Sequence, residues 1–333
     1  MSSILVTGSK GVVGSCLVPI LRHRGHSVVG IDLVHAPDGD EMWKKRNGVK
    51  PSYARCDVAD YRQLDRVFEV CGPFDYVYHT AAEFGRWNGE DYYEQLWRTN
   101  AIGTKHIIRI QERVGFNLIH FSSSEVYGDY DGVMEEPTTE TQAIRQLNDY
   151  AMSKRVNEQQ IYNSRLEYGT KSIIVRLFNT YGPGEWYHPY RSVICRLCYC
   201  SLRGLPVTVY RGHIRTFTFI EDACRTLANV ISNFRDGEIY NIAGTFEHSV
   251  EHLADLVWAL SNSDTSLISY KNTEPFTTKV KSVNVSKALR DLNHCVTVGL
   301  EEGIRRTLDW MAKSYGITVN RGLYKVARSS DGG

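Results

Sequence analysis

The feature that most constrains the fold is a strand-like segment followed by three evenly spaced glycines and a helix. Residues 4–7 are a short apolar run that ends in threonine. Gly8, Gly11 and Gly14 then follow at intervals of three. In such a unit the first glycine allows a tight turn, the second a close backbone approach to a pyrophosphate, and the third close helix–strand packing. The helix predicted over 12–24 offers its N-terminal N–H groups to the phosphates, so the segment predicts a nucleotide-binding site.

An acidic residue at the end of the second predicted strand indicates which nucleotide is bound. Asp32 closes the strand predicted over 27–32, about 20 residues after the glycines. A carboxylate at this place accepts hydrogen bonds from a ribose diol and repels a 2′-phosphate. The sequence therefore predicts NAD rather than NADP, although Lys10 inside the turn argues in the opposite direction.

The first half of the chain alternates between strand-like and helix-like segments. Strands are predicted at 4–7, 27–32, 74–79, 116–121 and 172–177. Helices are predicted near 12–24, 60–71, 90–114 and 148–168. This alternation predicts an α/β fold with a Rossmann-type, doubly wound parallel sheet and right-handed crossovers.

Shorter elements follow the Gly-Pro-Gly segment at 182–184. They are predicted as helices at 191–203, 220–233, 249–261 and 300–314 and strands at 207–209 and 238–242. We expect a smaller C-terminal α/β substrate-binding lobe that closes over the carboxyl ends of the strands, where ligands bind in open α/β sheets. The predicted division is 1–178 for the NAD-binding domain and 179–315 for this lobe, with some chain crossing back, and 316–333 for a disordered tail.

The amino-acid composition and net charge of the chain limit which classes of molecule it is expected to bind. The chain has 333 residues, of which 42% are hydrophobic, so it can bury a large core. The formal net charge of +1 implies no nucleic-acid partner. Apolar runs of about 20 residues and a signal-peptide pattern are both missing from the sequence, so we expect no membrane partner and a cytoplasmic location.

The cysteines and one histidine pair raise the question of a metal site. Cys195, Cys198 and Cys200 are closely spaced, but a second ligand pair with matching spacing is missing from the sequence. His248 and His252 are four residues apart, without a glutamate at the position that metalloproteases use. We therefore expect reduced structural cysteines, solvated histidines and no metal.

The pair Tyr150 and Lys154 indicates proton chemistry. A spacing of four on a helix puts a phenol and an ammonium on one face, about 6 Å apart at Cβ. The lysine charge can then lower the pKa of the tyrosine toward neutrality, which makes the phenol usable as a general base or acid. By itself this spacing is common on exposed helices, so its meaning depends on the rest of the chain.

An ordered series of motifs covers nearly the whole chain. It runs TGxxGxxG (7–14), Asp32, CDV (56–58), HTAA (79–82), Asn100, SSSEVYG (122–128), YxxxK (150–154), RLFNTYGP (176–183), RTFTFIED (215–222) and YNI (240–242). In these motifs the chain resembles the extended short-chain dehydrogenase/reductases of the NAD-dependent nucleotide-sugar epimerase/dehydratase family. The resemblance implies an enzyme that oxidises a nucleotide-diphosphate sugar at C4 to a transient 4-ketone.

The resemblance also implies the roles of individual residues. The catalytic group consists of Ser123, Glu125, Tyr150 and Lys154, with Ser123 chosen because the family places its catalytic hydroxyl two positions before this glutamate. The cofactor is held by Gly8, Gly11, Val12, Val13, Gly14, Asp32, Leu33, Asp57, Val58, Thr80, Ala81, Ala82, Asn100, Tyr150 and Lys154. The substrate is held by Ser124, Glu125, Asn179, Arg191 and Arg215. For Arg191, a uronate carboxylate, a phosphate and a plain surface position all remain open.

The fate of the 4-ketone depends on Glu125. In family members that eliminate water, a glutamate at this place removes the C5 proton, often beside an aspartic acid. Here Ser124 replaces that aspartate. The Ser-Glu pair at 124–125 also resembles sugar-nucleotide decarboxylases and one type of dehydratase, so by resemblance it favours elimination or decarboxylation. The frequency of reactions within the family favours epimerisation instead. On that frequency we expect a 4-epimerase, with a 4,6-dehydratase or a uronate decarboxylase as the alternative. A net 4-dehydrogenase and an inactive nucleotide-binding regulator are further alternatives.

Relatives of this kind often pair through two long helices. The corresponding segments here are 90–114 and 148–168, which the resemblance places in a four-helix interface. We therefore expect a twofold-symmetric homodimer.

Overall fold

The computed structural model of the protein describes residues 1–35 and 51–317. The tail predicted to be disordered therefore lies outside the described residues from residue 318 onward. The strands are β1 (Ser3–Thr7), β2 (Ser27–Asp32), β3 (Tyr53–Arg55), β4 (Tyr76–His79), β5 (Asn117–Ser123), β6 (Lys171–Leu177), β7 (Thr180–Tyr181), β8 (Val207–Tyr210), β9 (Ile214–Thr216), β10 (Thr218–Phe219), β11 (Ile239–Ile242), β12 (Glu247–Ser249) and β13 (Ile268–Lys271).

The helices alternate with these strands. They are α1 (Val12–His23), α2 (Tyr61–Cys71), α3 (Arg86–Asp91), α4 (Tyr93–Trp97), α5 (Gly103–Val114), α6 (Thr138–Thr141), α7 (Asp149–Tyr168), α8 (Val193–Arg203), α9 (Ile220–Asn229), α10 (Val250–Ser261), α11 (Ser286–Leu292) and α12 (Leu300–Ser314). None of the helices in the described ranges is long and apolar enough to cross a membrane.

Seven parallel strands form the central sheet, in the order β11-β6-β5-β4-β1-β2-β3. Both faces of the sheet are covered. On β1, Ile4 and Val6 pack into the cluster that contains Leu17 of α1. Leu5 faces the opposite cluster, which contains Leu64 of α2. Burial on both faces explains why these strands are continuous apolar runs. The predicted α/β class and Rossmann-type parallel sheet are confirmed.

The C-terminal part contributes to both the sheet and a smaller set of strands. β11 pairs with β6 in the central sheet, and α9 packs against α1. Three separate two-stranded sheets pair β7 with β10, β9 with β12, and β8 with β13. The chain therefore crosses back, and a boundary at residue 178 stays a prediction.

The helix predicted over 90–114 is not continuous. α3 ends where Tyr92 leaves the helical region at φ −133°, and a π-helical turn (Arg98–Ile102) separates α4 from α5. Within this turn Asn100 is buried, and its side chain bonds Glu83 and Ser153. The wider turn thus carries a polar side chain into the interior, which the apolar periodicity of the sequence does not reveal.

Candidate active site

A cavity of about 600 Å³ runs along the carboxyl ends of the central strands. Gly8 after β1, Asp32 of β2, Ser123 of β5 and Leu177 of β6 line it on one side. Val207 of β8 lines it on the side of the smaller sheets. This is the crevice where open α/β sheets bind ligands.

The glycine turn at one end of the cavity fits a dinucleotide pyrophosphate. Gly8 has a φ of +65°, and a Cβ there would lie 2.8 Å from the backbone of Ala81. A Cβ on Gly14 would lie 2.3 Å from the Gly8 carbonyl oxygen, so this glycine lets α1 pack on the turn. Gly11, Val12 and the next residue line the cavity at the N-terminus of α1. The positive end of the helix therefore faces the space that a pyrophosphate needs.

Asp32 lies in the cavity wall with its carboxylate held in place. Its oxygens accept hydrogen bonds from the backbone N–H of Lys10 at 2.9 Å and of Leu33 at 2.8 Å. The Lys10 ammonium lies 4.7 Å from the ring centroid of Tyr53. The Lys10 side chain, whose charge would favour the 2′-phosphate of NADP, therefore packs over an aromatic ring.

The other residues predicted to hold the cofactor divide into two groups. Most of them line the cavity, namely Val13, Leu33, Asp57, Val58, Thr80, Ala81, Ala82, Tyr150 and Lys154. Gly14 and Asn100 lie behind the wall. Asn100 accepts the backbone N–H of Glu83 at 2.8 Å, so it supports the segment after β4. Direct contact of these two with the cofactor stays a prediction.

Ser123, Tyr150 and Lys154 meet in the middle of the cavity. Ser123 ends β5, and its hydroxyl acts to lower the pKa of the Tyr150 phenol. Asn148 caps α7 by accepting the N–H of Ala151 at 2.8 Å, which fixes the helix turn that carries Tyr150. The Lys154 ammonium lies 5.8 Å from the Tyr150 ring centroid and donates to the Phe121 carbonyl at 2.8 Å.

The electrostatics of this group differ from the expectation. Burial raises the pKa of Tyr150, and Ser123 only partly offsets that increase. Burial also lowers the pKa of Lys154 to about 8. We expected Lys154 to lower the pKa of Tyr150. That expectation is wrong for the protein alone, because burial raises this pKa and the Lys154 ammonium is directed at the Phe121 carbonyl oxygen instead.

Glu125 lies beside this group and is surrounded by cations. Its Oε1 is 2.5 Å from the Nζ of Lys281. Burial by itself would raise the pKa of Glu125, but Lys281, Arg86 and Arg215 lower it to about 2. Arg86 is in turn 2.9 Å from Glu274. Glu125 is therefore an ionised carboxylate at neutral pH.

The predicted substrate residues all line the cavity. Ser124 is 4% exposed, and Asn179 donates to the Thr216 carbonyl at 3.0 Å. Arg215 donates to the Lys279 carbonyl at 2.6 Å and to the Thr278 carbonyl at 2.7 Å, so it anchors the segment before Lys281. Arg191 lines the cavity where the loop after β7 meets α8. Contact of these residues with the substrate stays a prediction.

The whole chain resembles known proteins. Residues 4–243 match the family described as "NAD dependent epimerase/dehydratase family". The chain belongs to this family. The match confirms the predicted family and an NAD-dependent enzyme. That the glycine turn and Asp32 hold the nucleotide stays a prediction.

The relatives of this family member include both dehydratases and epimerases. A dTDP-glucose 4,6-dehydratase of Neisseria meningitidis serogroup B is 28% identical over 359 aligned positions, which cover 100% of each chain. An epimerase of Methanothermobacter thermautotrophicus is 27% identical with a TM-score of 0.83, covering 95% of this chain and 93% of that one. A UDP-glucose 4-epimerase of Thermotoga maritima, solved with UDP-glucose, is 25% identical with a TM-score of 0.82, covering 94% and 99%.

Several charged residues at the cavity could not be identified from the sequence. Glu274 and Glu185 line it, and Lys281 lies behind Glu125. Glu185 is 4% exposed and accepts the Ser192 hydroxyl at 2.7 Å, which places it at the start of α8. These residues stand outside the motifs and reach the site only through long-range folding, so spacing gave no signal for them.

The cysteine and histidine candidates lie away from this chemistry. Cys195, Cys198 and Cys200 are buried on α8, and burial raises the pKa of Cys198. The rings of His248 and His252 stack at 5.9 Å. Across residues 1–35 and 51–317, groups of three or more His, Cys, Asp or Glu that could hold a metal ion are absent.

Proposed function

We propose that this protein is a nucleotide-sugar 4-epimerase that works through transient oxidation at sugar C4. The observation that carries the proposal is that Ser123, Tyr150 and Lys154 line one cavity together with the glycine turn, with the Lys154 ammonium 5.8 Å from the Tyr150 ring centroid. A proton acceptor next to a hydride acceptor is what alcohol oxidation requires. NAD bound in the cavity supplies the hydride acceptor, and in its oxidised form a positive charge.

The residues of the chain handle the proton. Tyr150 takes the proton of the C4 hydroxyl, and the Ser123 hydroxyl, which lines the same cavity, relays it. Burial by itself disfavours the phenolate, so the positive charge of bound oxidised NAD would be needed beside Lys154 to stabilise it. Once the ketone has rotated in the cavity, so that hydride would return to the opposite face of C4, the same phenol returns the proton to the C4 oxygen.

Ser124 favours epimerisation over elimination. Elimination of water needs a base at C5 and an acid that protonates the leaving C6 hydroxyl. Position 124 offers a hydroxyl instead of a carboxylic acid, and the nearby carboxylates of Glu125 and Glu274 are each paired with a cation.

A 4,6-dehydratase is the second candidate, because the dehydratase of N. meningitidis is similar over the whole chain and Glu125 lines the cavity as a possible C5 base. A uronate decarboxylase stays the remaining alternative from the Ser-Glu pair. In either case we propose a nucleotide-diphosphate sugar as the substrate.

The product mass separates these reactions. The protein is incubated with UDP-, GDP-, CDP- and dTDP-linked sugars and uronates, and the products are analysed by mass spectrometry and chromatography. An unchanged mass with a new retention time supports epimerisation. Loss of one water supports dehydration, loss of carbon dioxide supports decarboxylation, and no turnover of any sugar contradicts the proposal.

We also propose the homodimer. Helix α7 exposes a row of apolar side chains that suits a helical interface, made up of Met152, Val156, Tyr162 and Leu166. The neighbouring π-helical turn adds Ile102, which is 50% exposed. A cytoplasmic location rests on the sequence alone.

A further inference from the structure

Lys281 lies directly behind Glu125 as seen from the cavity. The Nζ–Oε1 distance is 2.5 Å, although the two residues are 156 positions apart. The side chain of Lys281 is 4% exposed and that of Glu125 is 19% exposed. Glu125 is among the residues that line the cavity, whereas Lys281 is outside that lining. Any effect of Lys281 on a bound sugar therefore passes through Glu125.

The segment that carries Lys281 is fixed in place. The backbone N–H of Lys281 donates to the Ile214 carbonyl at 3.2 Å, and that of Ile214 donates to the Lys279 carbonyl at 2.9 Å. Arg215 donates to the same Lys279 carbonyl. The ammonium is thus held against Glu125 by the pairing of its own backbone with β9.

The charges around the pair keep Glu125 ionised. Arg86 and Arg215 act on it together with Lys281, and Glu274 offsets part of their charge through its ion pair with Arg86. A carboxylate whose pKa is held near 2 is a weak base, because its negative charge is already stabilised by neighbours.

We propose that Lys281 is a positioning residue that stops Glu125 from removing the C5 proton of the 4-keto sugar. The idea rests on the proposed function, since it requires a ketone at C4. In the suppressed step, the C5–H bond breaks and its electron pair forms the enolate of the ketone. The proton passes to a Glu125 oxygen. Without that step the ketone can only be reduced again, which gives the starting sugar from one face and the epimer from the other.

The test replaces Lys281 and measures exchange at C5 in heavy water. The substrate is the sugar nucleotide that the wild-type protein turns over in the panel, with UDP-glucose as the first probe. Lys281→Gln should produce epimer with deuterium at C5, at least about ten-fold above the wild type. Lys281→Arg keeps the charge and should stay as low as the wild type. The double variant with Glu125→Gln should lose the exchange again, because Glu125 is the base.

The pH dependence of C5 exchange in the wild-type protein provides a second test, which does not require a variant that removes the charge of Lys281. Burial lowers the pKa of Lys281 to about 8, against the raising effect of Glu125. Arg215 and Arg86 are the other charged groups that act on this ammonium, and arginine stays protonated in this range. Exchange at C5 should therefore increase above about pH 8 in the wild type and stay low in Lys281→Arg.

The possible outcomes separate the two proposals. Epimerisation without C5 deuterium in both the wild type and Lys281→Gln contradicts the role of Lys281 alone. Deuterium at C5 in the wild type at pH 7 contradicts both proposals.

A check without substrate uses ¹³C-carboxyl NMR of the protein with labelled glutamate. The pKa of Glu125 should increase in Lys281→Gln. An unchanged titration in that variant overturns the inference whatever the substrate.

Discussion

Replacing Glu158 with glutamine should destabilise the protein severely, because this carboxylate ties the catalytic helix to the sheet. Glu158 lies on α7 and is 3% exposed. Its Oε1 accepts the Ser122 hydroxyl of β5 at 2.6 Å and the Nε of Arg176 of β6 at 2.9 Å. Its Oε2 accepts the Nη2 of Arg176 at 2.8 Å and the Nη1 of Arg155 at 3.1 Å.

The size of the effect follows from the burial of the partner. Arg176 is 0% exposed, so Glu158→Gln leaves a guanidinium in the interior without its counter-charge. Breaking a buried ion pair in this way costs about 3–5 kcal/mol. The matched control is Glu140→Gln, which removes a carboxylate that is 62% exposed and 2.8 Å from Arg155. Exposed pairs contribute about 0.2–1 kcal/mol.

The assay is urea unfolding followed by circular dichroism, without added nucleotide. The pKa of Glu158 is lowered in the folded protein: burial would raise it, but Arg176 and the other donors prevail. A lowered folded-state pKa means that the stabilisation is complete above the unfolded value of about 4.3 and is lost as the pH falls through the folded value. The gap between wild type and Glu158→Gln should therefore shrink in acid. A loss at pH 7 no larger than that of Glu140→Gln would refute the reasoning.

Three further predictions concern the cofactor, the phenol and the dimer. Asp32→Ala should weaken NAD binding roughly ten-fold and relax discrimination against NADP, because charged hydrogen bonds to the ribose are lost; equal NAD affinity in a fluorescence titration contradicts this. Tyr150→Phe should keep the circular dichroism spectrum and lower turnover on the order of 10²–10⁴-fold, so near-normal turnover would exclude Tyr150 as the base. Leu166→Glu should give a monomer in light scattering, whereas Leu205→Glu, at an exposed position on the loop after α8, should leave the dimer intact; a wild-type monomer at micromolar concentration contradicts the interface.

Much of the fold was predictable because it depends on local patterns. The strand predicted over 27–32 is β2 with the same bounds, and the helix predicted over 148–168 is α7. By contrast, β3 has only three residues, and it follows a stretch outside the described residues. Its pairing with β2 depends on tertiary contact, so three residues of sequence could not reveal it.

The candidate site was predictable only where residues share a motif. Ser123 and Tyr150, from the strand-end and helix motifs, line the same cavity, whereas their catalytic roles stay predictions. Lys281 could not be found in this way, because it reaches Glu125 from a segment 156 residues away. The sequence also failed to predict that the pKa of Tyr150 is raised. This increase comes from burial, which depends on how the whole cavity wall packs and not on the four-residue spacing of Tyr150 and Lys154.

The proposed reaction can be tested most directly with a sugar nucleotide that carries deuterium at C4, such as UDP-[4-²H]glucose, or the corresponding label on whichever sugar is turned over. If the protein oxidises and re-reduces the same carbon, the product has an unchanged mass and keeps the label at C4 with inverted configuration. A 4,6-dehydratase would move the label to C6 with loss of water, and a net dehydrogenase would transfer it to released NADH. Deuterium at C4 of the epimer is the result we predict; deuterium at C6 or in free NADH would contradict the account.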